Sequence, residues 1–137
     1  MRRVAKRQVI LLFEPWDSWQ FWLVEYFPEC QSLPSEIRAP GVEDLRAHLD
    51  VHTVVPVPVP ADCIDGFAEA YWRRPEAYLD PKVRAGISSL AQLVPEVAQR
   101  NVQRLRQDLE SGEWDSRFGY LRALPEIDLG YRLLTAG

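Results

Sequence analysis

The chain has 137 residues, 47% hydrophobic and 26% charged, with a formal net charge of −4 and a sequence pI near 5.2. That size suits one globular domain, residues 1–137, with a modest core, and the acidic balance argues against a nucleic-acid partner, which needs clustered positive charge. Cys30 and Cys63 stand far apart with no C-x-x-C, so they signal neither a disulfide framework nor a thiolate zinc site and fit a reducing, cytoplasmic setting.

In chain order, "MRRVAKR" is the one basic cluster and reads as a solvated strand entry. The apolar "VILLF" is too short for a signal segment or a membrane span. Residues 8–13 form a continuous apolar run, which predicts a strand covered on both faces that stops at Glu14-Pro15. Asp17 can cap a following helix that carries Trp19, Phe21, Trp22, Leu23, Tyr26 and Phe27 up to Pro28. That helix is apolar over most of its circumference, so it is either covered by the rest of the fold or lines an apolar pocket.

Residues 34–41 read as loop and 42–49 as a short amphipathic helix with Leu45 and Leu49 inward. Next comes "VHTVVPVPVP", a strand over 51–59 with Pro56, Pro58 and Pro60 at every second position. Successive residues send their N–H groups to opposite edges, so these prolines strip donors from one edge only, and the strand must lie at the edge of its sheet. Residues 62–74 look helical, with Asp62 or Asp65 as cap, and a helix from Asp80-Pro81 runs to about residue 90. The longest helix spans 95–109, with Ala98, Val102, Leu105 and Leu109 on one stripe and Arg100, Arg104, Gln107 and Asp108 outside. It ends at Ser111-Gly112. After a loop around "EWDSRFGYLRAL", residues 127–135 supply a last strand. Three strands interleaved with helices make a small α/β unit.

At this point particular residues carry a resemblance. "MRRVAKRQVILLFEP" resembles the entry to the fifth strand of class I S-adenosylmethionine-dependent methyltransferases, and "DCIDGFAEAYWRRPEAYLDPKVRAGISSLAQL" and "RLRQDLESGEWDSRFGYLRALPEIDLGYRLL" are similar to the carboxy-terminal part of their bacterial type 11 branch. The resemblance implies the C-terminal portion of a Rossmann-like sheet, in which strands 8–13, 51–59 and 128–135 are the fifth, sixth and seventh. Their order would be five, seven, six, with the seventh antiparallel and the proline-bearing sixth at the edge. It also implies that the first four strands and the glycine-rich cofactor turn are missing, since the sequence has no G-x-G-x-G. The expected chain is therefore a truncated or split methyltransferase, or a repurposed fragment. It holds no cofactor of its own, uses S-adenosylmethionine only if the missing N-terminal half is supplied, and is inactive alone.

Two partner expectations follow. An apolar, proline-free edge at 8–13 would recruit a second copy as a homodimer, a separate N-terminal half or a rearranged segment. A small-molecule acceptor is the other partner, with no nucleic acid and no membrane. For that acceptor, Trp16, Trp19 and Trp22 follow the carboxyl end of strand 8–13 and either wall a pocket or pack the core. In "AYWRRPEAY", Tyr71 and Trp72 can stack on a flat substrate while Arg73 and Arg74 pair with a carboxylate or phosphate; alternatively the arginines complement a helix end and cover Trp72. Asp62 and Asp65 can hold a substrate amine or act as a base, or simply cap a helix. His48 and His52 are four apart but lead from helix into strand, so they predict no metal site. The competing class of function is a non-catalytic binding or assembly protein in a biosynthetic pathway.

Overall fold

The computed structural model describes residues 6–14 and 20–137. Its strands are β1 (Gln8–Phe13), β2 (Val51–Pro56), β3 (Val59–Pro60), β4 (Glu126–Ile127) and β5 (Tyr131–Ala136). The helices are α1 (Leu23–Tyr26), α2 (Pro34–Ile37), α3 (Val42–Arg46), α4 (Pro81–Ala85), α5 (Ser88–Ala91), α6 (Pro95–Ser111) and α7 (Glu113–Phe118), with 3-10 turns at Pro28–Ser32, Pro75–Leu79 and Gly119–Ala123. No helix among the described residues is long and apolar enough to cross a membrane.

The three expected strands meet in one sheet in the order β1–β5–β2, and β5 runs antiparallel to both neighbours. The proline-bearing strand is an edge, for the reason its spacing gives. The Val57 N–H donates to the Tyr131 carbonyl at 2.9 Å and the Ala61 N–H to the Pro125 carbonyl at 2.8 Å, so the odd-numbered donors face the C-terminal segment and the prolines sit between them. The run is not one strand, however. It breaks at residues 57–58 and resumes as β3, which pairs with β4 in a separate two-stranded ribbon.

β1 departs from the expectation of burial on both faces. Ile10 lies opposite the fully buried Leu134, but Val9 and Leu11 are 69% and 60% exposed. In register, Leu11 and Val55 flank Leu133, and all three are exposed, so an apolar row crosses the open face of the sheet. The other edge of β1 has no strand partner among the described residues.

The main core is helical and centres on Trp22, 3% exposed, whose ring makes edge contacts with Phe21, Tyr26, Tyr78 and Trp114 at centroid distances of 5.1 to 5.9 Å. The apolar stripe of the longest helix faces this core through Val102 and Leu105, as its 3.6-residue period requires. Asp108, expected outside, is drawn inward because it accepts a 2.7 Å hydrogen bond from the Tyr26 hydroxyl.

Several local expectations change. Residues 62–74 are not a helix but a series of tight turns, in which Ala70, Trp72 and Arg74 N–H groups donate to carbonyls three residues back. Burying Ala70 and Trp72 together with Glu69 calls for a tighter winding than one amphipathic stripe provides. The helix expected from residue 80 starts as read, with the Asp80 carboxylate accepting from the Lys82 N–H at 2.8 Å, but Gly86 and Ile87 divide it into α4 and α5. The loop expected after Gly112 is α7 and a 3-10 turn, because the fully buried Trp114 anchors it to Trp22. A one-turn helix, α2, also stands within the expected loop 34–41.

Gly112 ends α6 with φ +80°, and a Cβ placed there would meet nothing within 4 Å. Gly112→Ala is therefore expected to cost about 1 kcal/mol through backbone strain alone, with no change of fold. Urea unfolding with an unchanged m-value checks this.

Candidate functional site

The residues singled out by sequence go to three places. Trp16 and Trp19 lie outside the described residues. Trp22 and Trp72 are core: Trp22 Nε1 donates to the Trp72 carbonyl at 2.7 Å, and Trp72 is fully buried with Nε1 directed at the Pro60 carbonyl at 3.4 Å. Neither ring offers a free face for a substrate. Tyr71 is half-buried between the edge of Tyr78 and the Arg74 guanidinium, 4.9 Å from its centroid.

Both arginines are spent on backbone. Arg73 Nη1 donates to the carbonyls of Leu124 at 3.0 Å and Arg122 at 3.3 Å, and Arg74 Nη2 to those of Cys63 and Ala70. They clamp the turns of 62–74 to their neighbours instead of facing an anionic ligand. Asp62 and Asp65 are exposed, and Asp65 Oδ1 accepts from the Gly66 N–H at 2.8 Å, a local turn in place of the helix cap. His48 lies in the turn beyond α3 and His52 in β2, and no group of three metal-ligating side chains lies together among the described residues.

A different set of residues converges. At the carboxyl end of β1, Phe13 pairs with Tyr131 at the start of β5, and their rings lie 6.4 Å apart. The Phe67 ring meets Tyr131 edge-on at 5.3 Å. These three aromatics, with Glu36 from α2, Glu69 from the turn segment and Ser89 from α5, line a cavity of about 260 Å³. A smaller, mostly apolar pocket of about 40 Å³, bounded by Phe21, Phe27 and Cys30, shares Glu36, Glu69 and Ser89 with it.

Glu69 dominates the electrostatics. Its side chain belongs to a residue only 9% exposed, and Oε2 accepts from the Tyr131 hydroxyl at 2.7 Å. Burial raises its pKa, the Tyr131 hydrogen bond opposes that, and the Glu36 carboxylate adds to the rise. Burial likewise raises Glu36. Tyr131 is pushed up by burial and then by the Glu69 charge, so it stays a neutral donor. Tyr78, raised well above its ordinary value by burial, donates to the Ala68 carbonyl at 2.6 Å and so fixes the turn that carries Glu69. Burial pushes the Cys30 thiol up to about 12, which leaves it an unreactive wall residue.

Sequence reasoning passed over Glu36, Glu69 and Tyr131. The available signal was the single carboxylate inside "GFAEAY", an acid flanked by apolar residues on both sides. A buried acid next to a tyrosine in a concave site is the arrangement that supports proton transfer or cation binding.

No protein-family model and no curated protein matches this chain. Among solved structures it is similar to a protein of Anabaena variabilis ATCC 29413 described as a "putative methyltransferase from antibiotic biosynthesis pathway", with 34% identity and a TM-score of 0.84 over 96% of this chain. The match takes in 54% of the Anabaena chain, so the present chain spans about half the length of that protein. Over that span its mixed α/β fold is methyltransferase-like.

Proposed function

We propose that this chain is the C-terminal, acceptor-side portion of an S-adenosylmethionine-dependent small-molecule methyltransferase, and that alone it neither binds the cofactor nor transfers a methyl group. The likeness to the Anabaena protein carries this reading. The cavity's position supports it, since open α/β sheets take their ligands at the carboxyl ends of strands, and this one opens beside Phe13 at the end of β1. The β1–β5–β2 order is consistent with the five, seven, six order that the resemblance implies and so supports the reading.

The cofactor, when bound, would bring an electrophilic methyl group. The part of this chain is to hold the acceptor in line and away from water, with Glu69 positioned to take its proton. The free edge of β1 and the exposed row of Leu11, Leu133 and Val55 are then the surface on which the rest of the methyltransferase fold packs. No nucleic acid or membrane enters this reading.

Titrating S-adenosylmethionine by calorimetry tests it directly. The chain alone is expected to give no binding heat, whereas a chimera joining the uncovered part of the Anabaena protein to this chain is expected to bind. Saturable binding by the chain alone, or none by the chimera once folded, would overturn the reading. The exposed β1 edge also favours a second one, a self-paired dimeric binding protein, and a solution mass of twice the chain by light scattering would speak for it.

A further inference from the structure

We propose that the cavity between β1, β5 and the 66–69 turn recognises a small arylalkyl amine in its ammonium form, with Glu69 as the counter-charge. The first support is chemical balance. The cavity is lined by two carboxyl groups, Glu36 and Glu69, and among the described residues no lysine, arginine or histidine lines it. Glu69 is nine-tenths buried, and its side-chain hydrogen-bond donor is a neutral phenol, the Tyr131 hydroxyl. A carboxylate so placed has no compensating cation among the described residues, and burying an unpaired charge is costly enough that a cationic ligand is the natural complement.

The second support is the wall. Phe13, Phe67 and Tyr131 bring three aromatic rings to the same cavity, the surface that cations and flat rings both favour. Anionic ligands are disfavoured by both acids. A neutral ligand gains the aromatic contacts but leaves the carboxylate unmatched. The size, about 260 Å³, lies just below the range of drug-sized pockets and limits the ligand to a single ring with a short amine arm.

This deepens the acceptor-site reading by naming the acceptor class, and its role in methyl transfer rests on that reading; ammonium recognition itself requires only the cavity. The test therefore uses no cofactor. Phenethylamine, the neutral phenethyl alcohol and the anionic 3-phenylpropionate are titrated into the full chain at neutral pH, followed by calorimetry and by amide chemical shifts.

The amine is expected to bind at least about tenfold more tightly than the alcohol, the scale of one charge-assisted hydrogen bond, with shifts centred on Phe67, Glu69 and Tyr131. Glu69→Gln is expected to abolish that preference while keeping the weak binding of the alcohol. Tyr131→Phe should keep the preference, because the carboxylate remains. Equal affinities for the three probes, amine shifts remote from the cavity, or an undiminished preference in a folded Glu69→Gln chain would each overturn the proposal. If that variant does not fold, the wild-type probe comparison and shift map decide. Amine binding by a chain whose Anabaena chimera ignores S-adenosylmethionine would sink the methyltransferase reading and leave the ammonium site standing; failure of the amine with a functional chimera would do the reverse.

Discussion

Trp22→Ala is expected to destabilise the chain by about 4 kcal/mol, within the range for removing a buried large aromatic, and to lower Tm by roughly 10–20 °C. Trp22 is the hub of the core, touching Phe21, Tyr26, Tyr78 and Trp114 edge-on, so its loss leaves a cavity whose walls come from three separate segments: residues 21–26, the 3-10 turn at 75–79 and α7. The truncation also removes the Nε1 donor from the buried Trp72 carbonyl. Trp22→Phe separates the two effects: it restores most of the ring volume and keeps the donor lost, and about half the destabilisation should remain. Trp114→Phe provides a contrast. Trp114 is fully buried too, but its Nε1 has no hydrogen-bond partner among the described residues, so the smaller ring removes an unmet polar group and should cost less than Trp22→Phe. Chemical unfolding of the four proteins checks the order. A Trp114→Phe chain less stable than Trp22→Phe would refute this account of the core.

Glu69→Gln is expected to change the pH dependence of stability more than its value in acid. The folded pKa of Glu69 lies above its unfolded value, chiefly through burial, so the folded state binds the proton more tightly. Its carboxylic acid form is thus compatible with the fold below the unfolded pKa, and stability falls as pH rises from there through the folded pKa. Besides burial, the groups that set this window are the Tyr131 hydroxyl on β5 and the Glu36 carboxylate on α2. Of these, the Tyr131 hydrogen bond moderates the rise and Glu36 increases it. Glutamine has no proton to lose and can still accept from the Tyr131 hydroxyl, so the variant should match the wild type in acid and overtake it as pH rises through the folded pKa of Glu69. Stability curves at several pH values decide the matter: parallel profiles for the two proteins would mean that Glu69 is not held in its ionised form at a cost to the fold.

Trp22 and Glu69 differ in how far their local sequence marks them. Trp22 stands out as a large aromatic in an apolar helix, and its burial follows from elementary solvation whatever the partner. Glu69 does not stand out, because nothing near it in sequence is its partner: Tyr131 is 62 positions away and Glu36 is 33 positions before it.

The same division runs through the molecule. Properties of the backbone and of short periods were legible in the sequence. Proline removes a donor at a fixed edge, which placed the strand beginning at Val51 at the rim of its sheet, although it runs only to Pro56; a 3.6-residue stripe and a terminal glycine bounded the long helix at Ser111-Gly112; and Asp80 before Pro81 marked a helix start that the structure keeps. Only the tertiary structure decided which polar and aromatic groups meet. It sent Trp72 inward, spent Arg73 on the carbonyls of Arg122 and Leu124, and spent Arg74 on those of Cys63 and Ala70, which the tight turns of 62–74 leave without helical partners. It also brought an acid from a turn, a phenol from the last strand and an acid from a one-turn helix to the end of the first strand. Local sequence fixes where a chain can bend and which donors it has; long-range packing sets the dielectric and the neighbours of each charge, and those determine the chemistry of the site.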